Sequence, residues 1–232
     1  MENIKHIFFD LDNTLWDYRK NAKLKLIRLF EDYNVQETYN LTFPNFYSAY
    51  YSVNESLWAD YRDKKISRNE LQTRRFVETF QKLGIQNYKF SAEMESRLMT
   101  EVVENQEVVE GTESVLPYLY KKYNLHILSN GFEEITHKKI QGCLIKDYIQ
   151  TVTTSDGAGT PKPDPKAFQS AVDKAGATKE ESIYIGDDWI ADMEGATKFG
   201  MRAIFFNPLN ESHVGMENVP VIEKLIELKN YL

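Results

Sequence analysis

Residues 8–14 read Phe8-Phe9-Asp10-Leu11-Asp12-Asn13-Thr14: an apolar run that stops in two acids one residue apart, followed by small hydrogen-bonding residues. The run begins at Ile4 (residues 4–9, IKHIFF), and such apolar density is that of a strand buried on both faces. Carboxylates at the end of a buried strand must be solvated, paired or in use. Taken alone, Asp-x-Asp after a strand is also an ordinary turn or helix cap. The reading therefore turns on whether other strands end in the same way.

Two others do. Residues 125–128 (LHIL) run into Ser129, Asn130 and Gly131, and residues 183–185 (IYI) into Gly186, Asp187 and Asp188, with Asp192 four residues beyond. Further apolar runs lie at 203–206 (AIFF) and, more weakly, at 148–152. Between them fall amphipathic helical patterns at 112–123, 133–143, 165–175 and 191–199. Strands alternating with helices of this length predict right-handed crossovers and an α/β fold with a doubly wound, mostly parallel sheet.

Residues 16–105 break the rhythm. They contain no convincing strand but four helix-like stretches, at 21–32, 43–63, 67–83 and 92–105, with Pro44 near the start of the second and Gly84 after the third. The expected organisation is a core of residues 1–15 and 106–232 with a helical domain of residues 16–105 inserted after the first strand. In the second of these helices Phe43, Tyr47, Tyr50, Leu57 and Tyr61, with Trp58 beside them, recur at helical spacing. They predict a packing face inside the insert, with the alternative that a ring stacks on a flat substrate group.

At 232 residues the chain can bury a large core without staples. Hydrophobic residues make up 42% and charged residues 27%, ordinary globular usage that argues against disorder or a fibrous class. The single cysteine, Cys143, rules out an internal disulfide and fits a reducing cytoplasm. A net charge of −7 with no basic stripe argues against a nucleic-acid polymer as partner. No apolar stretch reaches the roughly 20 residues of a membrane helix. Acids at Glu2, Asp10 and Asp12 stand where a signal peptide keeps an uncharged core. The expectation is a soluble, unexported, cytoplasmic protein.

The carboxyl ends of strands in an open parallel sheet lie side by side, and ligands bind there. Asp10, Asp12 and Asp187 would then supply hard oxygen ligands suited to Mg²⁺, with Ser129 and Asn130 as neutral donors. Lys162 lies in Thr160-Pro161-Lys162-Pro163-Asp164-Pro165, where prolines restrict the backbone just before a helix; so fixed, it can set a point charge on a phosphoryl oxygen. Phosphoryl transfer requires this combination of positioning and charge neutralisation. Asp10 would attack phosphorus. Asp12 would protonate the leaving oxygen and then activate the water that releases phosphate. The metal's protein ligands would be Asp10, Asp187 and the Asp12 carbonyl.

The residues resemble a known family. DLDNT is similar to the first motif of the haloacid dehalogenase-like (HAD) hydrolase superfamily, Ser129-Asn130-Gly131 to its second, Lys162 in KPDP to its third and GDDWIAD to its fourth, all in order. KPDPKAF and IGDDWIADMEGA resemble the wording of the subfamily with a helical cap after motif one. The resemblance implies a Rossmann-like core, an aspartyl-phosphate mechanism and Mg²⁺. It implies Asp10 as nucleophile, Asp12 as acid/base, Thr14 and Ser129 as phosphoryl-positioning residues, Asn130 as a neighbouring donor, and Lys162 as the clamp of nucleophile and phosphate. Asp187 would bind metal, with Asp188 and Asp192 behind it; Asp188 stands where relatives often carry serine. The presence of Asp12 separates the chain from the dehalogenases, which use neither a second aspartate nor Mg²⁺. DLDNTLWD and the aromatic-rich insert look most like the pyrimidine 5′-nucleotidase subgroup, which acts on nucleoside monophosphates. Sugar-phosphate phosphatases and phosphomutases of the same family are the alternatives.

From another class, a receiver-type signalling module also uses Mg²⁺, aspartates, a hydroxyl and a lysine. Receivers are about half this length and phosphorylate an aspartate after a middle strand. His6, His126, His137 and His213 lack metal-ligand spacing and are expected to pack or lie on the surface. Arg74, Arg75, Lys64 and Lys65 are read as solvated helix or turn residues.

Overall fold

The computed structural model describes residues 3–212 and 218–232; His213 lies outside them. The described chain falls into two compact units, residues 1–18 with 106–232 and residues 19–105.

The first unit is built on a six-stranded sheet in the order β3-β2-β1-β4-β5-β6, every neighbouring pair parallel. Its strands are β1 (His6–Phe9), β2 (Asn124–Ser129), β3 (Ile149–Thr154), β4 (Ser182–Gly186), β5 (Arg202–Phe206) and β6 (Val221–Ile222). All residues of β1 and β4 are buried, as both faces of the sheet are covered. The chain runs outward from β1 through β2 to β3, then returns to the other side of β1 for β4, β5 and β6. The direction of winding thus reverses between β1 and β4, and this is where an open α/β sheet binds ligands. Phe9 pairs in register with Ile127 and Ile185, so the residues that follow, Asp10, Leu128 and Gly186, emerge side by side.

The crossover helices are α6 (Thr112–Tyr120), α7 (Glu133–Gln141), α8 (Ser155–Ala158), α9 (Pro165–Ala175) and α10 (Gly195–Phe199), after α1–α5 of the second unit described below. The start of α9 follows directly from KPDP: Asp164 caps it by accepting from the Lys166 N–H, Pro165 takes the first turn where no N–H is needed, and Gly176 at φ 62° ends it. Under the sheet Phe8, Leu128, Phe168, Tyr184, Met193 and Phe205 form one buried cluster. The short strand β6 was not foreseen, because two residues are too few to carry an alternation. The helix expected at 191–199 is instead a π-helical turn, Trp189–Glu194, leading into α10.

His6 and His126 are buried across β1 and β2, stacked at 5.3 Å with His6 Nδ1 3.0 Å from His126 Nε2. His126 Nδ1 lies 2.8 Å from Thr151 Oγ1. His137 is about half exposed on α7.

The second unit is helical throughout: α1 (Tyr18–Asp32), α2 (Val35–Tyr39), α3 (Phe43–Arg62), α4 (Arg68–Lys82) and α5 (Ser91–Glu101), with a 3₁₀ turn at Val102–Glu104. Ser67 and Glu70 form a reciprocal capping box at the start of α4. The buried face of α3 is Phe46, Ala49, Tyr50, Val53 and Leu57, not the stripe beginning at Phe43. Tyr50 and Leu57 belong to it, while Phe43, Tyr47, Trp58 and Tyr61 keep partial exposure. Phe46 sits between Phe30, Phe76 and Phe80 at 5.4, 6.4 and 5.9 Å. Arg75, read as a solvated helix residue, is instead 1% exposed, with Glu95 3.8 Å away. It lies on the apolar stripe of α4 between Leu71 and Phe76, so its stem is covered together with the core.

Candidate active site

Lys162 is the centre of the site. Its Nζ donates to Asp10 Oδ1 at 2.6 Å, to Asp192 Oδ1 at 2.7 Å and to the Tyr184 hydroxyl at 2.6 Å, and the residue is 2% exposed. Three elements deliver these partners: the end of β1 (Asp10), the centre of β4 (Tyr184) and the turn after β4 (Asp192). The Tyr184 hydroxyl in turn donates a hydrogen bond to the Leu128 carbonyl at 2.7 Å, tying the cluster to β2. A lysine so surrounded uses all three of its donors.

Asn130 fixes the backbone that carries this lysine. Its Nδ2 donates to the Lys162 carbonyl at 3.0 Å and its Oδ1 accepts from the Lys162 N–H at 2.7 Å. The residue expected as a neighbouring donor for phosphate thus works on Lys162, because the end of β2 lies directly beside the KPDP segment. Ser129 Oγ accepts from the Gly131 N–H at 3.0 Å. A Cβ at Gly131 would press on Thr136 Oγ1 at 2.6 Å, so a side chain there would have to displace the Thr136 hydroxyl of α7.

Thr14 Oγ1 donates to Asp187 Oδ1 at 3.0 Å, orienting a carboxylate of the β4 turn from the β1 loop. Asp188 caps the following turn, its Oδ1 accepting from Ile190 and Ala191 N–H at 2.9 Å each. Asp192 accepts from the Asp188 N–H at 3.0 Å as well as from Lys162. The two acids therefore divide the work, Asp188 holding the turn and Asp192 holding the lysine. A Cβ at Gly186 would collide with the Asp192 carboxylate, which is why β4 must end in glycine.

Asp12 stands apart from the Lys162 cluster. Both its oxygens accept from Lys139 Nζ on α7, at 2.6 and 2.8 Å. Sequence reading missed both Lys139 and Tyr184. The signal for Lys139 is its place on α7, where Ile135, Thr136, Lys139 and Ile140 form the buried stripe: a lysine at a core position needs a partner.

Burial pushes the Asp10 carboxyl up to about 7, with Asp192 and Asp12 adding repulsion against the attraction of Lys162. Burial also raises Asp192. Burial opposes the Lys162 ammonium, but Asp10 and Asp192 outweigh it and its value rises. Tyr184 is raised by burial and by the same two acids, so its hydroxyl stays protonated. The site thus gathers four carboxylates, Asp10, Asp12, Asp187 and Asp192, around two lysines, Lys162 and Lys139.

Asp10, Asp187 and Asp192 each offer an oxygen within 4.8 Å of the others. This all-oxygen donor set fits a hard divalent cation, and the excess of carboxylate charge fits it equally. With Asp192 committed to Lys162 and Asp188, the carboxylates best placed to hold the ion are Asp10 and Asp187.

Residues 7–206 match the family model described as haloacid dehalogenase-like hydrolase. The chain is 28% identical to the pyrimidine 5′-nucleotidase PynA of Streptococcus pneumoniae over 88% of its length and 84% of that protein. It is 27% identical to the pyrimidine 5′-nucleotidase YjjG of Escherichia coli over 97% and 96%. Among solved structures, YfnB of Bacillus subtilis, crystallised bound to magnesium, superposes with a TM-score of 0.88 over 99% of both chains at 24% identity.

Proposed function

The chain belongs to the haloacid dehalogenase-like hydrolase family, and on that premise we propose that it is a Mg²⁺-dependent phosphomonoesterase acting through an aspartyl phosphate on Asp10, with nucleoside 5′-monophosphates as substrates. The observation that carries the reading is the joint hold of Lys162 on Asp10 and Asp192 at 2.6 and 2.7 Å beside Asp187, where the sheet changes its direction of winding.

Asp10 attacks phosphorus through its carboxylate oxygen. Lys162 aims that carboxylate and pulls it toward its ionised form against the effect of burial, and neutralises part of the charge on the phosphoryl oxygens. Ser129 Oγ, which accepts from Gly131, retains its own proton to donate to a phosphoryl oxygen. As the ester bond breaks, Asp12 gives a proton to the leaving oxygen; in the second half it takes a proton from the water that attacks the aspartyl phosphate. Asp10 and Asp187, with the Asp12 carbonyl, would hold Mg²⁺, which when bound supplies charge neutralisation at the phosphoryl group. The helical unit of residues 19–105 is assigned the role of a cap that selects the substrate.

The choice of nucleotides rests on the likeness to PynA and YjjG. A panel of nucleoside 5′-monophosphates and sugar phosphates, assayed for phosphate release with and without Mg²⁺, tests it. Release fastest from pyrimidine nucleotides, dependent on Mg²⁺ and on Asp10, is the expected result. Release from sugar phosphates alone would replace the substrate class. Phosphate that stays on Asp10 without turnover would favour a signalling module, and no reaction at all would sink the enzyme reading.

A further inference from the structure

Lys139 is buried at 4% exposure, whereas the Asp12 side chain that it holds keeps 26%. A surface ion pair is usually arranged otherwise, with both heads in water. Here the cation is enclosed, and the carboxylate is the partner left accessible. The enclosure is made by the loop that carries Asp12. Lys139 Nζ lies 4.7 Å from the centre of the Trp16 ring and 5.1 Å from that of Tyr18. Trp16 is fixed in turn: its carbonyl accepts from the Asn13 N–H at 2.7 Å, its N–H donates to the Leu11 carbonyl at 2.8 Å, and its Nε1 donates to Gln106 Oε1 at 3.1 Å. Asp12 and Trp16 also form a β-bridge. One tight loop therefore presents the acid and builds the aromatic seat for its counter-ion. Two oxygens held by one ammonium fix the plane of the carboxylate.

Building on the phosphatase reading above, we propose that Lys139 is a positioning residue for proton transfer to the leaving group. Its ammonium holds the Asp12 carboxyl in the orientation from which the leaving oxygen is protonated. In that step the electrons of the phosphorus–oxygen ester bond pass to the leaving oxygen, and the Asp12 proton joins it. Asp12 is left as the anion paired with Lys139, and the attacking water later returns the proton to Asp12. Lys139 touches neither substrate nor phosphorus and acts only through Asp12.

The test compares two esters. p-Nitrophenyl phosphate expels an acidic phenol that needs little protonation, whereas the alkyl ester cleaved fastest by the wild type expels an alcohol that needs it fully. The quantity read is kcat/KM, which stops at the first bond cleavage and so leaves out hydrolysis of the aspartyl phosphate. Lys139→Met is expected to lower the alkyl-to-aryl ratio of kcat/KM by about 100-fold, the scale of a general-acid contribution. Lys139→Arg should restore most of that ratio. In an Asp12→Asn background, Lys139→Met should change it no further. Equal losses on both esters would mark Lys139 as structural only and overturn the proposal, as would an unchanged ratio or a further drop without Asp12. If Lys139→Met does not fold, Lys139→Gln, which keeps a donor without the charge, is read in the same way. Failure of the wild type on both esters would be the distinct result that removes the phosphatase reading, and this proposal with it.

Discussion

The His6–His126 pair makes stability depend on pH in a way that one substitution isolates. The rings meet at 3.0 Å through Nδ1 of one and Nε2 of the other, so one nitrogen must offer a lone pair and the pair cannot carry two full sets of protons. Burial, and then His6, lower His126 from the ordinary 6.5 to about 4; burial also lowers His6. The folded value lies below the unfolded one, so the unfolded chain binds the extra proton and stability is lost as pH falls from about 6.5 toward about 4. For one such group the loss between pH 7 and pH 5 comes to about 2 kcal/mol. Urea unfolding of wild type and His126→Gln at the two pH values reads it. The variant starts less stable, having lost its stacking on Phe8 at 4.7 Å, but its stability should fall by about 2 kcal/mol less than that of the wild type over this interval. Titrations common to both proteins cancel in that difference. Parallel losses would refute the account of a buried neutral pair.

The other expectations concern the site. Asp10→Asn should lower phosphate release by at least roughly 10³-fold and abolish ³²P labelling of the protein, since it removes the proposed nucleophile. Lys162→Met leaves two buried acids without their cation and should cost roughly 3–5 kcal/mol at neutral pH in urea unfolding. Because burial already raises Asp10 and Asp192, both acids take up protons on acidification, and that cost should shrink toward pH 5. Thr14→Val removes the donor to Asp187 and should raise the Mg²⁺ concentration needed for half-maximal activity by roughly tenfold, whereas Thr14→Ser should not. Gly186→Ala drives a methyl into Asp192 and should cost roughly 1–3 kcal/mol, read as a lowered melting temperature.

Strands β1, β2, β4 and β5 were legible because each carries a buried apolar run, a pattern that depends on few residues and survives local variation; β3, mostly polar and part-exposed, was only weakly legible, and β6 was too short to show. The strand ends were legible for a related reason: acids and glycine immediately after such a run have few structural uses, and the same pattern recurred at β1, β2 and β4. In the helical unit α1, α3, α4 and α5 were legible, but the short α2 and the packing phase were not. On α3 the aromatic positions 43, 46, 47, 50, 51, 58 and 61 occur on nearly every side of the helix, so periodicity alone could not decide that Phe46 points inward and Phe43 does not.

What the sequence concealed has a common physical cause. Tyr184, Lys139 and the role of Asn130 all belong to polar groups that act on other protein groups and sit inside apolar or turn-like patterns. Tyr184 reads as one more strand residue in IYI, Lys139 as one half of a Lys-Lys pair on a helix, and Asn130 as part of a turn. None carries a local pattern, since the partner of each comes from a different strand or loop: Lys162 for Tyr184 and Asn130, Asp12 for Lys139. Motif reading finds groups placed to meet a ligand, because strand ends collect them at one edge. The groups that hold these in position can stand anywhere the fold closes around them, and the cost of burying an unpaired polar group is what betrays them. By that criterion a lysine on the apolar stripe of a crossover helix is the clearest trace left in the sequence, and it leads to Asp12, the acid proposed to protonate the leaving oxygen.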